Sequence, residues 1–486
     1  MNNAVKYPLI YEINTRVWLR ELSQKAQKPI NLANIPLSEF YKWRDLNFNA
    51  IWLMGVWTQS PKGRQLALEN ADYRSEYSSV LPDWTPDDVA SSPYSIVNYQ
   101  VSKDLGGESG LEKFRTQLAE YEIKLILDFV PNHTAQDHPW VETSPDFYIR
   151  VPAEVYKQAP GNYYSPKEGL YLTCGRDPFF PPWIDTLQLN YANPDLHNAM
   201  IDNLKKIASQ CDGVRCDMAI LELKEVYNQI WQSLSGEMTA EFWDRAISEI
   251  KQQYPQFLFI AEAYWNKEWE LQKLGFDFTY DKRFYDWLCI GDIQTLKGHL
   301  SSEWSFQEKL IRFIENHDEP RAAAVLQKNH KVAALVTLTG PGARLVHEGQ
   351  IEGAQIKQPI RLLRQQQEPV DPYVQAFYER VLRIMRQTPI TRGSFHLIDL
   401  EGENTFQVIG FERRNGVKSR LLITLANFGD QPEEVSFKTD GFEMAESYEH
   451  IEIVSTEKFS SPQFDLWMGG ITVRLRPHEG LLFVRH

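Results

Sequence analysis

The chain has 486 residues, 43% of them hydrophobic and 24% charged, with a formal net charge of -14. That balance is globular, and the length suits several domains or one α/β barrel with additions. The acidity argues against a nucleic-acid partner, which needs a basic footprint, and no apolar run approaches the ~20 residues of a membrane span.

From the N-terminus, Met1 to Tyr7 lacks the basic start and apolar stretch of a secretion signal. The four cysteines, Cys174, Cys211, Cys216 and Cys289, have neither CxxC nor zinc-type spacing. Four free thiols are expected, hence a reducing compartment and a cytoplasmic location. Leu9 to Ile13 reads as a first strand, Leu37 to Leu46 as a helix and Ala50 to Gly55 as a buried strand. Residues 57–100 read as one long ordered loop, a length that usually carries function. Ser109 to Tyr121 has helical periodicity, with Ser109 and Glu112 spaced as a capping box. Ile123 to Asp128 is a strand, and 134–185, rich in Pro, Gly, Asn and Tyr, is an inserted subdomain. A helix over Pro194–Ser209 then leads into the strand Gly213–Asp217. Further strands follow at Phe257–Glu262, Phe276–Tyr280, Leu310–Asn316 and Ala343–His347.

Eight strands, most followed by a helix, predict a parallel (β/α)8 TIM barrel, whose functional groups sit at the C-terminal strand ends. The expected division is barrel at 1–133 and 186–389, insert at 134–185, and an all-β sandwich at 390–486. In the last, Phe395–Ile398, Thr405–Ile409, Arg420–Leu425, Glu434–Phe437, Ile471–Leu475 and Gly480–Val484 read as short strands.

Four strand ends carry polar residues that a core would not choose. They are Asp128-Phe129-Val130-Pro131-Asn132-His133, Arg215-Cys216-Asp217, Ala261-Glu262-Ala263-Tyr264-Trp265 and Glu315-Asn316-His317-Asp318. Alone, Arg215 and Asp217 are equally well a structural ion pair, since residues two apart share one face of a strand. With the other ends they form an acid–base rim. A guanidinium beside Asp217 is expected to keep that carboxyl low and ionised.

These stretches resemble, in order, the four signature regions of the α-amylase family, glycoside hydrolase family 13. Leu187-Gln188-Leu189-Asn190 is similar to its short fifth signature, and Tyr94 stands where the family has a sugar-stacking tyrosine. The resemblance implies that Asp217 is the nucleophile of a retaining mechanism, Glu262 its acid–base and Asp318 the residue gripping sugar hydroxyls. It also implies that His133 and His317 bind the same sugar, that Arg215 orients Asp217, and that Asp128 organises the site. Tyr94 otherwise reads as a packing aromatic, and Trp265 either lines the mouth or fills the core behind it.

The expected activity is hydrolysis of α-1,4-glucans or maltooligosaccharides. The alternatives are an α-glucanotransferase on the same scaffold, which the segment around Glu262 resembles, and a non-catalytic glucan-binding barrel. Ile220 and Leu221 stand where many α-amylases carry a lysine and a histidine, so the leaving-group side must be built differently. No cofactor is expected for the chemistry. The resemblance admits a structural calcium at Asn132, with Asp137, Asp146, Asp177 and Asp185 as further oxygen donors toward the 6–8 that calcium needs. The oligomeric state stays open.

Overall fold

A computed structural model of the protein describes residues 6–387, 393–415, 420–438, 451–457, 463–467 and 470–485. Eight parallel strands close into a barrel. They are β1 (Leu9–Asn14), β2 (Ala50–Met54), β3 (Lys124–Phe129), β4 (Gly213–Cys216), β5 (Leu258–Ala261), β6 (Phe278–Tyr280), β7 (Leu310–Arg312) and β8 (Ala343–His347). β8 pairs with β1, Glu12 opposite His347, and so shuts the ring. The strands are buried along nearly their whole length, as expected where helices cover one face and the barrel interior the other. Gly213 opens β4 because a Cβ there would lie 2.7 Å from that of Leu258 and 2.8 Å from Ile126 Cδ1. The helix Pro194–Gln210 that delivers β4 has proline at its first turn and Asn193 capping the amide of Asp195. Its buried Leu196, Met200, Leu204 and Ile207 recur at helical spacing.

Residues 57–100 are not a single loop. They form an antiparallel pair, Trp57–Gln59 with Ile96–Val101, around helices Pro61–Glu69 and Ala71–Val80. Ser60 and Asn70 cap these helices, which enclose a small core of their own at Ala67, Tyr77, Leu81 and Val89. Weak apolar periodicity hid them. The helix expected at Ser109 begins at Gly107, with Gly106 at its cap in the left-handed region, so no Ser109 capping box forms.

The insert is held at its base by His133–Ala135 paired antiparallel with Thr186–Gln188. Beyond it stand short helices and the hairpin Tyr163–Lys167 with Leu170–Thr173. After the barrel come a five-stranded and a three-stranded sheet, whose inner faces share Val408, Ile423 and Leu425 from one and Val435, Phe437, Ile471 and Val473 from the other. This is a sandwich. Ile451–Ser455 and Gln463–Trp467 are strands that the sequence reading missed, and Thr405–Gln407 is a 3-10 turn ahead of the strand Val408–Asn415. The boundary expected at 389/390 lies outside the described residues. Helix His330–Thr339 joins the two regions: it is buried along its length, and Thr339 Oγ1 lies 2.9 Å from Thr424 Oγ1 of the sandwich.

Candidate active site

Strand geometry makes Arg215 the hub of the barrel mouth. It sits in register with Asp128 on one side and Ile260 on the other, and its side chain is 1% exposed. Nη1 donates to Asp217 Oδ1 at 2.6 Å. Nη2 lies 2.7 Å from Glu262 Oε2, off the line a hydrogen bond needs, and 4.0 Å from Asp318 Oδ2. Nε points at the Tyr280 hydroxyl, 3.4 Å away, and the guanidinium lies 5.1 Å and 5.3 Å from the ring centres of Tyr94 and Trp52. Burial disfavours the arginine's charge, but Glu262 and Asp217 hold it protonated well above its ordinary range.

The Glu262 carboxylate is fixed at both oxygens. Oε2 accepts from the Met218 amide at 2.7 Å and Oε1 from the Tyr264 hydroxyl at 2.8 Å. Met218 adopts a left-handed φ of 43° just past the end of β4, where its amide meets the acid. Burial pushes the Glu262 carboxyl up to about 7, against the pull of Arg215 and with the help of the Asp217 charge. Asp217 is also raised above the usual carboxylate range: its burial outweighs the Arg215 charge and hydrogen bond. This corrects the expectation that the ion pair keeps Asp217 low. Two buried carboxylates share one cation, which cannot compensate both for the solvation they lose.

Asp318 is 41% exposed toward the cleft. Burial would raise its carboxyl, yet the His317 charge and hydrogen bond and the Arg215 charge hold it well below the usual range. His317 Nε2 lies 3.0 Å from Asp318 Oδ2 and 2.8 Å from the Tyr94 hydroxyl; Nδ1 lies 2.5 Å from Glu12 Oε1. Burial lowers the affinity of this ring for its proton, but the two carboxylates outweigh it and bring it to about 10. Asp128 serves the rim indirectly, accepting from Trp52 Nε1 and the Gly55 amide, both at 3.0 Å. Gly55 holds φ at 79° there, and a Cβ would meet that of Pro93 at 2.9 Å.

The structure thus brings Asp217, Glu262, Asp318, Arg215, His317 and Tyr94 into one cluster. His133 stands at the base of the insert, its ring 5.2 Å from that of Trp183 and beside the Tyr94 backbone; burial takes it to about 4, so it is neutral. Trp265 lies farther out, with a left-handed φ of 59° and its ring edge-to-face with Phe179 of the insert at 5.1 Å. Phe179 and Phe180 are each 69% exposed. With Trp265, Val226, Ile230 and Lys267 they border a cavity of about 560 Å³. Ile220 and Leu221, at the positions noted for their departure, are buried in the turn after β4 and contribute no polar group to the cleft. Sequence reasoning missed Glu12, Tyr264, Tyr280 and the Phe179–Phe180 pair. An acid inside the apolar run Leu9–Ile13 was the available signal for the first.

The oxygens named for calcium each have protein partners. Asn132 Oδ1 accepts from Gln188 Nε2 at 2.8 Å. Asp137 takes Ser60 and the Lys62 amide, Asp146 pairs with Arg150, Asp177 caps the amides of Phe179 and Phe180, and Asp185 pairs with Arg361. Among the described residues no group of three or more His, Cys, Asp or Glu side chains is placed to hold a metal ion.

The alpha amylase catalytic domain family matches residues 41–376. The chain is 23% identical over 373 residues to the alpha-amylase MalA of Haloarcula japonica, covering 74% of this chain and 51% of that protein. It is 21% identical over 389 residues to alpha-amylase 3 of Dictyoglomus thermophilum, covering 74% and 67%. It therefore spans about half the length of the first relative. The structure of a noncanonic maltogenic alpha-amylase, AmyB of Thermotoga neapolitana, superposes with a TM-score of 0.69 at 17% identity over 99% of both chains. The family match covers most of the barrel and every strand end of the cluster except that of β1: the chain belongs to the α-amylase family.

Proposed function

We propose that the protein is a retaining glycoside hydrolase acting on α-1,4-glucans or maltooligosaccharides. The observation that carries this is one buried guanidinium engaging Asp217 and Glu262 together, with Asp318 at its edge. Carboxylates sharing one cation suit the roughly 5–5.5 Å separation of double displacement better than the wider spacing that leaves room for an attacking water. Asp217 attacks the anomeric carbon as Glu262 gives its proton to the departing glycosidic oxygen, and a glycosyl ester forms on Asp217. Glu262, now a carboxylate, takes a proton from the incoming water, whose oxygen displaces Asp217 with the α configuration restored. An acid at about 7 is well matched to this shuttle. Asp318, His317, Tyr94 and His133 are the groups proposed to bind the reacting sugar. The reading needs no cofactor for its chemistry, and the cytoplasmic location rests on four free thiols. Among the described residues no helix is long and apolar enough to cross a membrane.

Transfer to a sugar acceptor is the second reading, favoured by the apolar wall of Phe179, Phe180 and Trp265. Chromatography of products from maltoheptaose separates the two: shorter chains alone support hydrolysis, and chains longer than the substrate support transfer. Initial release of β-anomers would overturn retention, and an inert protein would overturn both readings.

A further inference from the structure

Glu12 lies on β1, on no signature stretch, and is fully buried. Its Oε1 lies 2.5 Å from His317 Nδ1, while its Oε2 has no partner among the described residues. The other ring nitrogen of His317 faces Asp318 Oδ2 at 3.0 Å. A neutral imidazole has one N–H and can donate to only one of two carboxylates; a ring that donates to both carries two protons. The groups facing this ring are Glu12 from β1, Asp318 beside it, Tyr94 from the excursion after β2, Asp128 at the end of β3, and Asp217 and Arg215 around β4. Of the carboxylates among them, only Glu12 reaches Nδ1.

We propose that Glu12 is a positioning residue that keeps His317 an imidazolium and thereby fixes Asp318 and Tyr94 for the sugar. This rests on reading the cleft as a glycosidase site. With Nε2 protonated, its one proton faces the Tyr94 oxygen at 2.8 Å and Asp318 Oδ2 at 3.0 Å, so the phenol cannot donate to the ring. The phenol proton is then free to be donated into the cleft, and Asp318 keeps a cation 3.0 Å away that holds it ionised as an acceptor for sugar hydroxyls. A neutral ring bare at Nε2 would instead accept from the phenol and turn a lone pair toward Asp318.

The experiment is long-range 1H–15N correlation of the histidine side chains in the wild-type protein and in Glu12→Gln, with kinetics on maltoheptaose alongside. In the wild type both nitrogens of His317 should carry protons from pH 6 to 8. In Glu12→Gln one should be lost within that range, with kcat lower by about 10- to 100-fold, the scale seen when the outer partner of an oriented histidine is removed, and KM changed by less than about threefold. A wild-type ring with one bare nitrogen at pH 7, or identical ring spectra in the two proteins, overturns the proposal. Should the variant fail to fold, the wild-type spectrum alone decides. A doubly protonated ring in a wild type inert toward maltoheptaose would instead count against the glycosidase reading.

Discussion

Two buried arginine sites, one at the barrel mouth and one where the barrel meets the sandwich, treat their charges in opposite ways. At the mouth, Arg215 stands among Asp217, Glu262 and Asp318, and those carboxylates hold its charge. At the opposite end, Arg344 on β8 and Arg413 of the sandwich are 3% and 0% exposed and have no carboxylate partner among the described residues. Arg344 donates to the Tyr7 carbonyl at 2.9 Å; Arg413 donates to the carbonyls of Gly340, where helix His330–Thr339 ends, and of Gly393. Burial, with mutual repulsion, drops Arg344 to about 9, and burial takes Arg413 to about 10. The same side chain therefore organises anions at one end and ties backbone carbonyls at the other. Arg312, equally buried and paired with Asp281 at 3.0 Å, shows that one carboxylate partner does not set Arg215 apart; facing three of them does.

Breaking the mouth should give the largest effects. Asp217→Asn removes the proposed nucleophile with little change of shape, and kcat should fall by on the order of 10⁴-fold or more, measured on maltoheptaose with folding checked by thermal melting. Unchanged turnover would end the catalytic assignment. Arg215→Met should cost about 10³-fold in kcat, on the scale of lost transition-state electrostatics, and should also move the pH profile. In the wild type, rate falls as pH rises through Glu262 at about 7, because the acid loses its proton. Arg215 lowers both carboxyls, so without it both limbs of the profile should shift to higher pH; a shift downward would contradict the hub.

At the far end the signs reverse. Arg413→Met leaves the Gly340 and Gly393 carbonyls without this donor, at about 1–3 kcal/mol for each group orphaned, offset by no longer burying an unpaired charge. The net expectation is a loss of about 1–3 kcal/mol by denaturant titration, with kcat/KM within about twofold of the wild type. A large kinetic effect would mean that the sandwich face communicates with the mouth.

This contrast also shows what the sequence made legible. The strand-end stretches around Asp128, Asp217, Glu262 and Asp318 were readable because barrel geometry gathers distant strand ends at one rim. Glu12 was not, because a single acid in an apolar strand carries no spacing signal. The raised carboxyl of Asp217 was misjudged for a physical reason: residue spacing reveals its Arg215 partner but not the depth at which the pair is buried. The helices within 57–100 were lost because short capped helices lack sustained periodicity. Met218, whose amide fixes Glu262, acts through a backbone conformation that no side-chain pattern announces.

The smallest expected effect concerns the apolar wall of Phe179, Phe180 and Trp265. Phe179 and Trp265 meet edge-to-face at 5.1 Å, an arrangement worth about 0.5–1.5 kcal/mol beyond the area it covers. Rings this exposed would gain further by lying against the apolar face of a glucose unit. Phe179→Ala should therefore raise KM for maltoheptaose by about two- to tenfold, on the scale of losing one aromatic contact of about 0.5–1.5 kcal/mol with a sugar face. KM for maltotriose, too short to span the wall, should barely change, and the ratio of transfer to hydrolysis should fall by a similar factor, since an incoming acceptor competes with water through the same contacts. Equal effects on both substrates would indicate that Phe179 only buttresses the insert. An unchanged product ratio would assign acceptor binding to other groups and leave the wall as packing around the cavity.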